Sequence, residues 1–328
     1  FTAAALRWLH QQTSALGNPL LICQAPPATA LPQLAQAVGT TTVVCEDMAA
    51  PYEQAEVAAL RAAGLQVRTV WHSSLLHPAD MPWPASDLPG VFTSFRQKVE
   101  RAGITPAAPL PAPALLLPPP QVPAPVLQAV GAEQGAASIQ PPTPPQGSDA
   151  RSSFPYGMPG CDGSEAAALA HLVQYLARKL PHSYKATRNG LTGLHYSSKF
   201  SPWLATGALS PRQIYADLKT FERDHGANDG TYWLWFELLW RDYFRLLHLQ
   251  YGAALYRARG LSELPPAPHN PRGFERWCRG ETGQPLVDAA MRELAATGYL
   301  SNRLRQVVAS YLLYDLHSDW RAGAAWFE

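Results

Sequence analysis

Three serines and one lysine are crowded into five residues near the middle of the chain. Ser197, Ser198, Lys199 and Ser201 lie just ahead of a helix that Pro202 is predicted to open. Hydroxyls, an ammonium group and the unpaired backbone N–H groups of a helix start commonly hold phosphate. The run therefore predicts an anion site, while plain helix capping is the simpler explanation, because Ser-Pro helix starts are common.

A second set of polar residues lies in the most aromatic part of the sequence. Glu237 and Arg241, four residues apart, share one face of the predicted helix Thr231–Tyr251. Another predicted helix opens with Asn302, Arg303 and Arg305. An unpaired buried charge is costly, so these charges should be paired or should contact a ligand. Structural salt bridges explain each charge taken singly. Together with the serine–lysine run, the charges predict a deep pocket for a large, flat, phosphate-bearing molecule.

Composition limits the classes of protein that need to be considered. The 328 residues, 47% of them hydrophobic, are enough for two domains with sizeable cores. The net charge of the whole chain is +1. Beyond residue 150, Lys and Arg outnumber Asp and Glu by 20 to 16. This excess of positive charge suits either a localised polyanion site or an ordinary solvated surface. Four distant cysteines without a CxxC pair predict a reduced, cytoplasmic protein without structural zinc. No apolar run is as long as a membrane span, so no membrane partner is expected.

The first 105 residues alternate predicted helices and strands. The predicted strands are Pro19–Cys23, Thr41–Cys45 and Val67–Trp71, and the predicted helices are Phe1–Leu16, Leu31–Val38, Tyr52–Ala63 and Phe92–Arg101. This alternation is typical of right-handed crossovers in a parallel sheet. We therefore predict a doubly wound α/β domain over residues 1–105, although no glycine-rich phosphate motif follows any strand.

Two segments of different composition follow. Residues 106–162 are dominated by proline and alanine, which favours extended backbone and predicts a connector over the surface that builds no core. From residue 163 to 328 the strand signal disappears, and we predict an all-α domain. Its predicted helices are Glu165–Lys179 behind Ser164, Pro211–Glu222 with Ser210 as N-cap, Thr231–Tyr251, Arg272–Arg279, Pro285–Ala296 and Ser301–Leu316.

Several long blocks of the sequence are similar to one family, in the same order. They are Tyr184–Arg188, Tyr196–Ala205, Gly207–Arg212, Asn228–Phe244, Gly283–Glu293, Gly298–Arg305 and Asp319–Glu328. On these blocks the chain resembles the photolyase/cryptochrome family over essentially its whole length, and FELLWRDYFR with Ser-Asn-Arg at 301–303 resembles its DASH-type branch. The resemblance implies an α/β antenna domain that lacks its first strand and an all-α FAD-binding domain that lacks its C-terminal segment.

The resemblance also implies FAD as cofactor and a set of site residues. The positions that match the family's FAD contacts are Tyr184, Ser197, Ser198, Lys199, Phe200, Ser201, Glu237, Arg241, Asn302 and Arg305. The positions that match residues facing a flipped pyrimidine dimer are Glu237, Trp240 and Asn302. Arg241 and Arg303 are implied partners for DNA phosphates. Trp240 is expected to offer an open stacking face.

Electron supply and light harvesting depart from the family pattern. Trp320 matches the middle member of the family's tryptophan chain, but the position of the surface member, ten residues before Trp277, is Ala267. Photoreduction is therefore expected to run through Trp320, with Trp277 as the nearest alternative relay. A folate antenna, 5,10-methenyltetrahydrofolate, is also implied, with Glu46 as its candidate contact.

Two classes of function follow from the resemblance. The first is a deoxyribodipyrimidine photo-lyase, a carbon–carbon lyase that uses light-excited FAD to repair cyclobutane pyrimidine dimers in single-stranded DNA. The second is a blue-light receptor or nucleic-acid-binding regulator without repair activity. Retention of a carboxyl group at Glu237 favours the enzyme. Either class predicts a cytoplasmic monomer that binds nucleic acid.

Overall fold

The N-terminal part of the chain alternates helices and short strands, as predicted. The structure is a computed structural model and describes residues 1–134, 154, 160–266 and 268–328. Its first elements are α1 (Thr2–Ala15), β1 (Leu21–Cys23), α2 (Pro27–Ala37), β2 (Thr42–Glu46), α3 (Pro51–Ala62), β3 (Gln66–Val70) and α4 (Phe92–Arg101). Pro27 and Pro51 open α2 and α3, where the fixed φ and missing N–H of proline suit a helix start.

The strands form two separate pairs. β2 and β3 are parallel, with Thr42 opposite Gln66, which confirms the predicted crossover. β1 instead pairs antiparallel with β4 (Ala132–Gln134), so placing β1 in the same parallel sheet was wrong for the described residues. The edge of β1 is already paired with residues 132–134, and a groove of about 780 Å³, lined largely by apolar side chains, lies between β1 and β2.

The segment predicted as a connector is only partly irregular. Up to residue 123 it has no regular secondary structure, and Leu110, Leu115 and Leu117 are exposed. It then forms α5 (Ala124–Ala129) and β4, and Val130 between them is fully buried. The prediction that this segment builds no core was therefore wrong for residues 124–134. Its parts at 135–153 and 155–159 lie outside the described residues.

The second half of the described chain is helical. Its elements are α6 (Glu165–Ala177), α7 (Leu180–Thr187), α8 (Ser201–Thr206), α9 (Pro211–His225), α10 (Asp229–Tyr251), α11 (Pro271–Arg279), α12 (Pro285–Thr297), α13 (Asn302–Ser310) and α14 (Trp320–Phe327). Ser164 and Ser210 accept backbone N–H groups at the starts of α6 and α9, as their positions predict.

Several predicted helix bounds differ in the structure: α2 begins at Pro27 and not at Leu31, and α9 ends at His225 and not at Glu222. Two further helices end where the backbone conformation changes. The helix predicted over 165–179 stops at Ala177, because Lys179 adopts a left-handed φ of 54° and α7 begins anew after it. The helix predicted over 301–316 is α-helical only to Ser310 and continues as a π-helical turn over Tyr311–Asp315. Both changes occur beside the blocks that carry the family resemblance.

Helix α10 joins the two halves of the molecule. Phe92 of α4 stacks on Trp240, with ring centroids 3.7 Å apart and planes inclined by 12°. The fully buried carboxylate of Asp242 accepts hydrogen bonds from the backbone N–H groups of Leu75 (2.9 Å) and Leu76 (2.7 Å), in the loop after β3. One hydrophobic core runs from α4 through α10 into α6, α7 and α9. Helix α10 therefore positions its polar residues against both halves.

Candidate functional site

The serine–lysine run lies against α6 and α7. The Tyr184 side chain is buried, which raises its pKa, and the neighbouring Ser198 side chain acts in the opposite direction, while the Ser198 carbonyl contacts Nε2 of His171 at 2.8 Å. Phe200 is buried beside Tyr175, where it contributes to packing, and Ser201 is exposed at the start of α8. The structure thus brings Tyr184 and Ser198 together but gives Phe200 a core position.

Lys199 is a buried cation in an unusual backbone conformation. It is 4% exposed, and its φ of 58° lies in the left-handed region. Its Nζ lies 3.6 Å from the ring centroid of Tyr196 and donates a 3.3 Å hydrogen bond to the Tyr299 hydroxyl. Burial lowers the pKa of Lys199 to about 7, and the charge of Glu293 acts in the opposite direction. An ammonium group in this setting is stabilised by a bound anion, so the environment fits the diphosphate of FAD.

Glu237 is paired with a residue that the sequence analysis did not single out. Arg188, at the end of α7, donates a hydrogen bond from Nη1 to Oε1 of Glu237, and its guanidinium lies 4.5 Å from the ring centroid of Trp233. Burial raises the pKa of Glu237, and the adjacent Arg188 partly opposes this effect. Arg188 could have been singled out from the sequence, because it is the last residue of the block Tyr184–Arg188, which is similar to the family.

Arg241 does not pair with Glu237, although the two residues are four apart. Its guanidinium donates to the backbone carbonyls of Ser73 (2.9 Å) and Leu204 (3.3 Å). The alternative of a salt bridge between Glu237 and Arg241 was therefore wrong. In this structure Arg241 ties α10 to the loop after β3 and to α8. Its assignment to FAD and DNA phosphate stays a prediction.

The three polar residues at the start of α13 have different surroundings. Asn302 is exposed, directly after the N-cap Ser301. Arg303 donates to the side chains of Asn189 (2.6 Å) and Gln306 (2.8 Å), so it lies beside the chain that follows Arg188. Arg305 instead lies over the ring of Phe327, 5.2 Å from its centroid. The contacts thus link Glu237, through the adjacent residues 188 and 189, to Arg303.

Trp240 does not present the open face that was expected. Its ring is stacked on Phe92 and also lies 5.3 Å from Phe244, with an interplanar angle of 27°. Phe244 follows Trp240 by four residues on α10 itself, whereas the contact with Phe92 arises because α4 packs along α10, which the sequence pattern of α10 alone cannot reveal. Trp240 is half-buried in an aromatic cluster between the two halves.

The two tryptophans assigned to electron transfer are held by backbone hydrogen bonds. Nε1 of Trp277 donates to the carbonyl of Val308 at 2.9 Å, and Nε1 of Trp320 donates to that of Ala258 at 3.0 Å. Trp277 is fully buried, with ring contacts to Phe274 and Phe327, so it can serve as an internal relay but not as a surface member. Ala267 lies outside the described residues.

Glu46, the candidate antenna contact, lies at the carboxyl end of β2. Its Oε1 accepts a 3.1 Å hydrogen bond from Arg245 of α10, and His72 lies 3.9 Å away. Ligands of α/β sheets bind at the carboxyl ends of the strands, and the antenna assignment of Glu46 stays a prediction.

The described residues contain neither a candidate metal site nor a candidate membrane span. No group of three or more His, Cys, Asp or Glu is arranged there to hold a metal ion. None of the described helices has the length and hydrophobicity needed to cross a bilayer.

Comparison with known proteins identifies the family. A model described as the FAD binding domain of DNA photolyase matches residues 233–328, and a DNA photolyase model matches residues 1–114. Over its full length the chain is 40% identical to Cryptochrome DASH of Xenopus laevis, covering 62% of that protein, and 40% identical to Cryptochrome DASH of Vibrio parahaemolyticus, covering 69%. The chain belongs to the photolyase/cryptochrome family. The solved structure of a Synechocystis cryptochrome superposes with a TM-score of 0.86 at 39% identity, over 99% of this chain and 65% of that one.

The comparisons confirm the photolyase fold and the FAD-binding domain. The relatives carry the name Cryptochrome DASH, which agrees with the branch indicated by the sequence. The chain spans about 62–65% of the length of the first curated relatives it matches. The domain boundaries at 105 and 163 stay predictions, since the family models end at 114 and begin at 233.

Flavin photoreduction is expected to slow markedly in Trp320→Phe. Phenylalanine keeps most of the packing at the start of α14 but is far harder to oxidise than tryptophan, so a relay through this position is blocked. The measurement is the rate of flavin bleaching under blue light with an external reductant. Trp326→Phe, on the same helix and 47% exposed, is the matched control and should photoreduce at the parent rate. A parent rate in Trp320→Phe would show that electrons take another route.

Proposed function

We propose that the protein is a light-driven, FAD-dependent lyase that splits cyclobutane pyrimidine dimers in single-stranded DNA. The observation that supports this most is the half-buried carboxyl group of Glu237, held by Arg188 and flanked by Trp233. Family membership supports the reaction class. A protein that acts on single strands avoids the few kcal/mol needed to unpair and unstack a duplex base.

The residues around Lys199 fit the FAD diphosphate. Lys199 and the Ser198 hydroxyl supply a cation and a hydrogen-bond donor, and the buried Tyr184 lies beside Ser198. Bound FAD, when reduced and excited by near-UV or blue light, supplies the electron that splits the dimer. The described residues have the separate tasks of binding the cofactor, holding the dimer and excluding water.

Glu237 is proposed to bind the carbonyl edge of the flipped dimer. Because burial raises its pKa, the carboxyl group holds a proton more readily than an exposed one and can donate a hydrogen bond to a carbonyl that gains negative charge. Arg188 keeps this carboxyl group in position. Arg303 and Asn302, near the chain that follows Arg188, are proposed contacts for the DNA backbone.

Glu237→Ala is expected to keep its flavin but to lose at least about tenfold in repair yield, because one charge-assisted hydrogen bond contributes roughly 1.5–3 kcal/mol. The assay follows repair of a thymine dimer in a single-stranded oligonucleotide, and in the matching duplex, by reduced protein under blue light. Glu275→Ala, at an exposed glutamate of α11, is the control. We expect much weaker repair of the duplex in every variant.

A receptor or nucleic-acid-binding regulator is the second candidate. The observation that favours it is the packing of Trp240 against Phe92 and Phe244, which leaves less ring surface for a stacked dimer. Binding of single-stranded DNA without dimer splitting, at full flavin occupancy and reduction, would support this candidate and make Glu237 a structural partner of Arg188.

Three further properties concern the antenna, the cellular location and the assembly state. We propose that a folate antenna binds at the end of β2, where it would have to share Glu46 with Arg245. Free cysteines throughout the chain suit a reducing compartment, which supports a cytoplasmic location. We propose that the protein acts as a monomer.

A further inference from the structure

A small cavity lies between α6 and the segment 194–199. Its volume is about 170 Å³. Among the residues that line it are His171, Tyr175, Arg178, His195 and Lys199. Of the positions that match the family's flavin and dimer contacts, only Ser197 and Lys199 line this space. The cavity is therefore not the site described above, although the two share one wall.

The buried hydroxyl of Tyr175 has no hydrogen bond. The residue is 3% exposed, and its hydroxyl makes no hydrogen bond with any described residue. Burial raises the pKa of Tyr175, so the phenol stays protonated and is available as a donor at neutral pH. Since buried polar groups in folded proteins are nearly always satisfied, this hydroxyl indicates a missing acceptor.

Basic groups crowd the same cavity. Arg178, exposed at its rim, contacts the ring of His195 with Nη1 to Nδ1 at 3.0 Å, and Lys199 is buried deeper. Burial lowers the pKa of both His171 and His195, and the charge of Lys199 lowers both pKa values further. The charge of Arg178 also lowers the pKa of His195. The other titratable groups here are the Cys161 thiol, whose pKa is raised by burial, and Glu293, whose charge acts on Lys199. Basic groups that repel one another around a small enclosed space are stabilised by an anion.

We propose that this cavity binds a phosphate-class anion, held by the Tyr175 hydroxyl, the Arg178 guanidinium and the Lys199 ammonium. The cavity volume of about 170 Å³ is sufficient for one tetrahedral oxyanion. The anion is free inorganic phosphate, because the diphosphate of FAD is proposed for the neighbouring site that shares Ser197 and Lys199 with this cavity.

The test is a titration of inorganic phosphate followed by NMR of the imidazole Hε1 protons of His171 and His195. It is run on flavin-loaded protein and on protein stripped of flavin, at two pH values. We expect saturable shifts, with tighter binding at about pH 6.5 than at about pH 8.5, because the anion stabilises the protonated forms of His171, His195 and Lys199. Arg178→Gln should weaken the phosphate Kd about tenfold, and Tyr175→Phe about fivefold. Arg279→Gln, on the exposed face of α11, should leave it unchanged.

The outcomes separate a free anion from the FAD diphosphate. Saturable shifts in both loaded and stripped protein support a free anion bound beside the flavin site. Shifts confined to stripped protein, with weaker flavin retention in Arg178→Gln and Tyr175→Phe, would overturn the proposal, because the FAD diphosphate would then fill the cavity. The proposal is overturned if neither form gives a saturable shift, or if both variants, shown to be folded by circular dichroism, bind phosphate as tightly as the control. A failure to split dimers would leave these shifts untouched, so the two proposals fail independently.

Discussion

Replacing Asp242 by alanine is expected to lower the free energy of unfolding by about 3–5 kcal/mol, because the loss of a buried charged acceptor leaves its partners unpaired. The groups left without an acceptor are the backbone N–H groups of Leu75 and Leu76. Arg241 also loses a carboxylate that lies 3.9 Å away. Urea unfolding at neutral pH measures the loss. Asp224→Ala, at an exposed aspartate of α9, should stay within about 0.5 kcal/mol of the parent protein. An equally small loss in Asp242→Ala would show that the loop after β3 is held by other contacts.

The same carboxyl group gives stability a pH dependence of known sign. Burial raises the pKa of Asp242 from 3.8 to about 6, against the opposing effects of the Leu75 and Leu76 N–H groups and of Arg241 and Arg245. Between these pH values the folded state holds a proton that the unfolded state has released. The part of the Asp242 contribution that is linked to this proton is therefore fully present below about pH 4 and is lost as the pH rises through about 6, while the hydrogen bonds from Leu75 and Leu76 persist at neutral pH. Asp242→Asn, which does not titrate, should remove this slope from unfolding free energies measured between about pH 4.5 and 7; an unchanged slope would assign it to another group.

Replacing both Ser198 and Lys199 by glutamate is expected to yield protein without FAD. The change removes a cation and a hydroxyl donor and adds two negative charges where the diphosphate is proposed to bind, so repulsion replaces attraction in a partly buried site. Flavin stoichiometry from the absorbance of purified protein measures the effect. Full flavin retention would show that the serine–lysine run does not bind the diphosphate.

Two further variants separate charge from packing in that experiment. Lys199→Met keeps an apolar chain of similar length beside Tyr196 and Tyr299, and should weaken flavin binding less than the double glutamate variant. Lys219→Glu, on the exposed part of α9, reverses a charge away from the site and should retain flavin. Circular dichroism of each variant establishes whether a loss of flavin accompanies a loss of fold.

Local patterns were sufficient to predict where most helices begin. Ser164 and Ser210 cap α6 and α9, and α4 runs over Phe92–Arg101 as its spacing indicated. A cap depends on hydrogen bonds that span two or three residues, so the sequence contains all the information required. The family could be predicted for a related reason, since its long blocks are contiguous in sequence and are read without knowledge of the fold.

Contacts between distant segments could not be predicted in this way. Glu237 is paired with Arg188, 49 residues earlier, and not with Arg241 on its own helix, while Arg241 binds the Ser73 carbonyl 168 residues away. β1 pairs with β4 from a proline-rich segment whose composition favoured extended chain. Helical spacing determines which side chains share a face, and composition determines whether a segment can be regular. Which element packs against that face, and so which partner each charge receives, depends on tertiary packing alone.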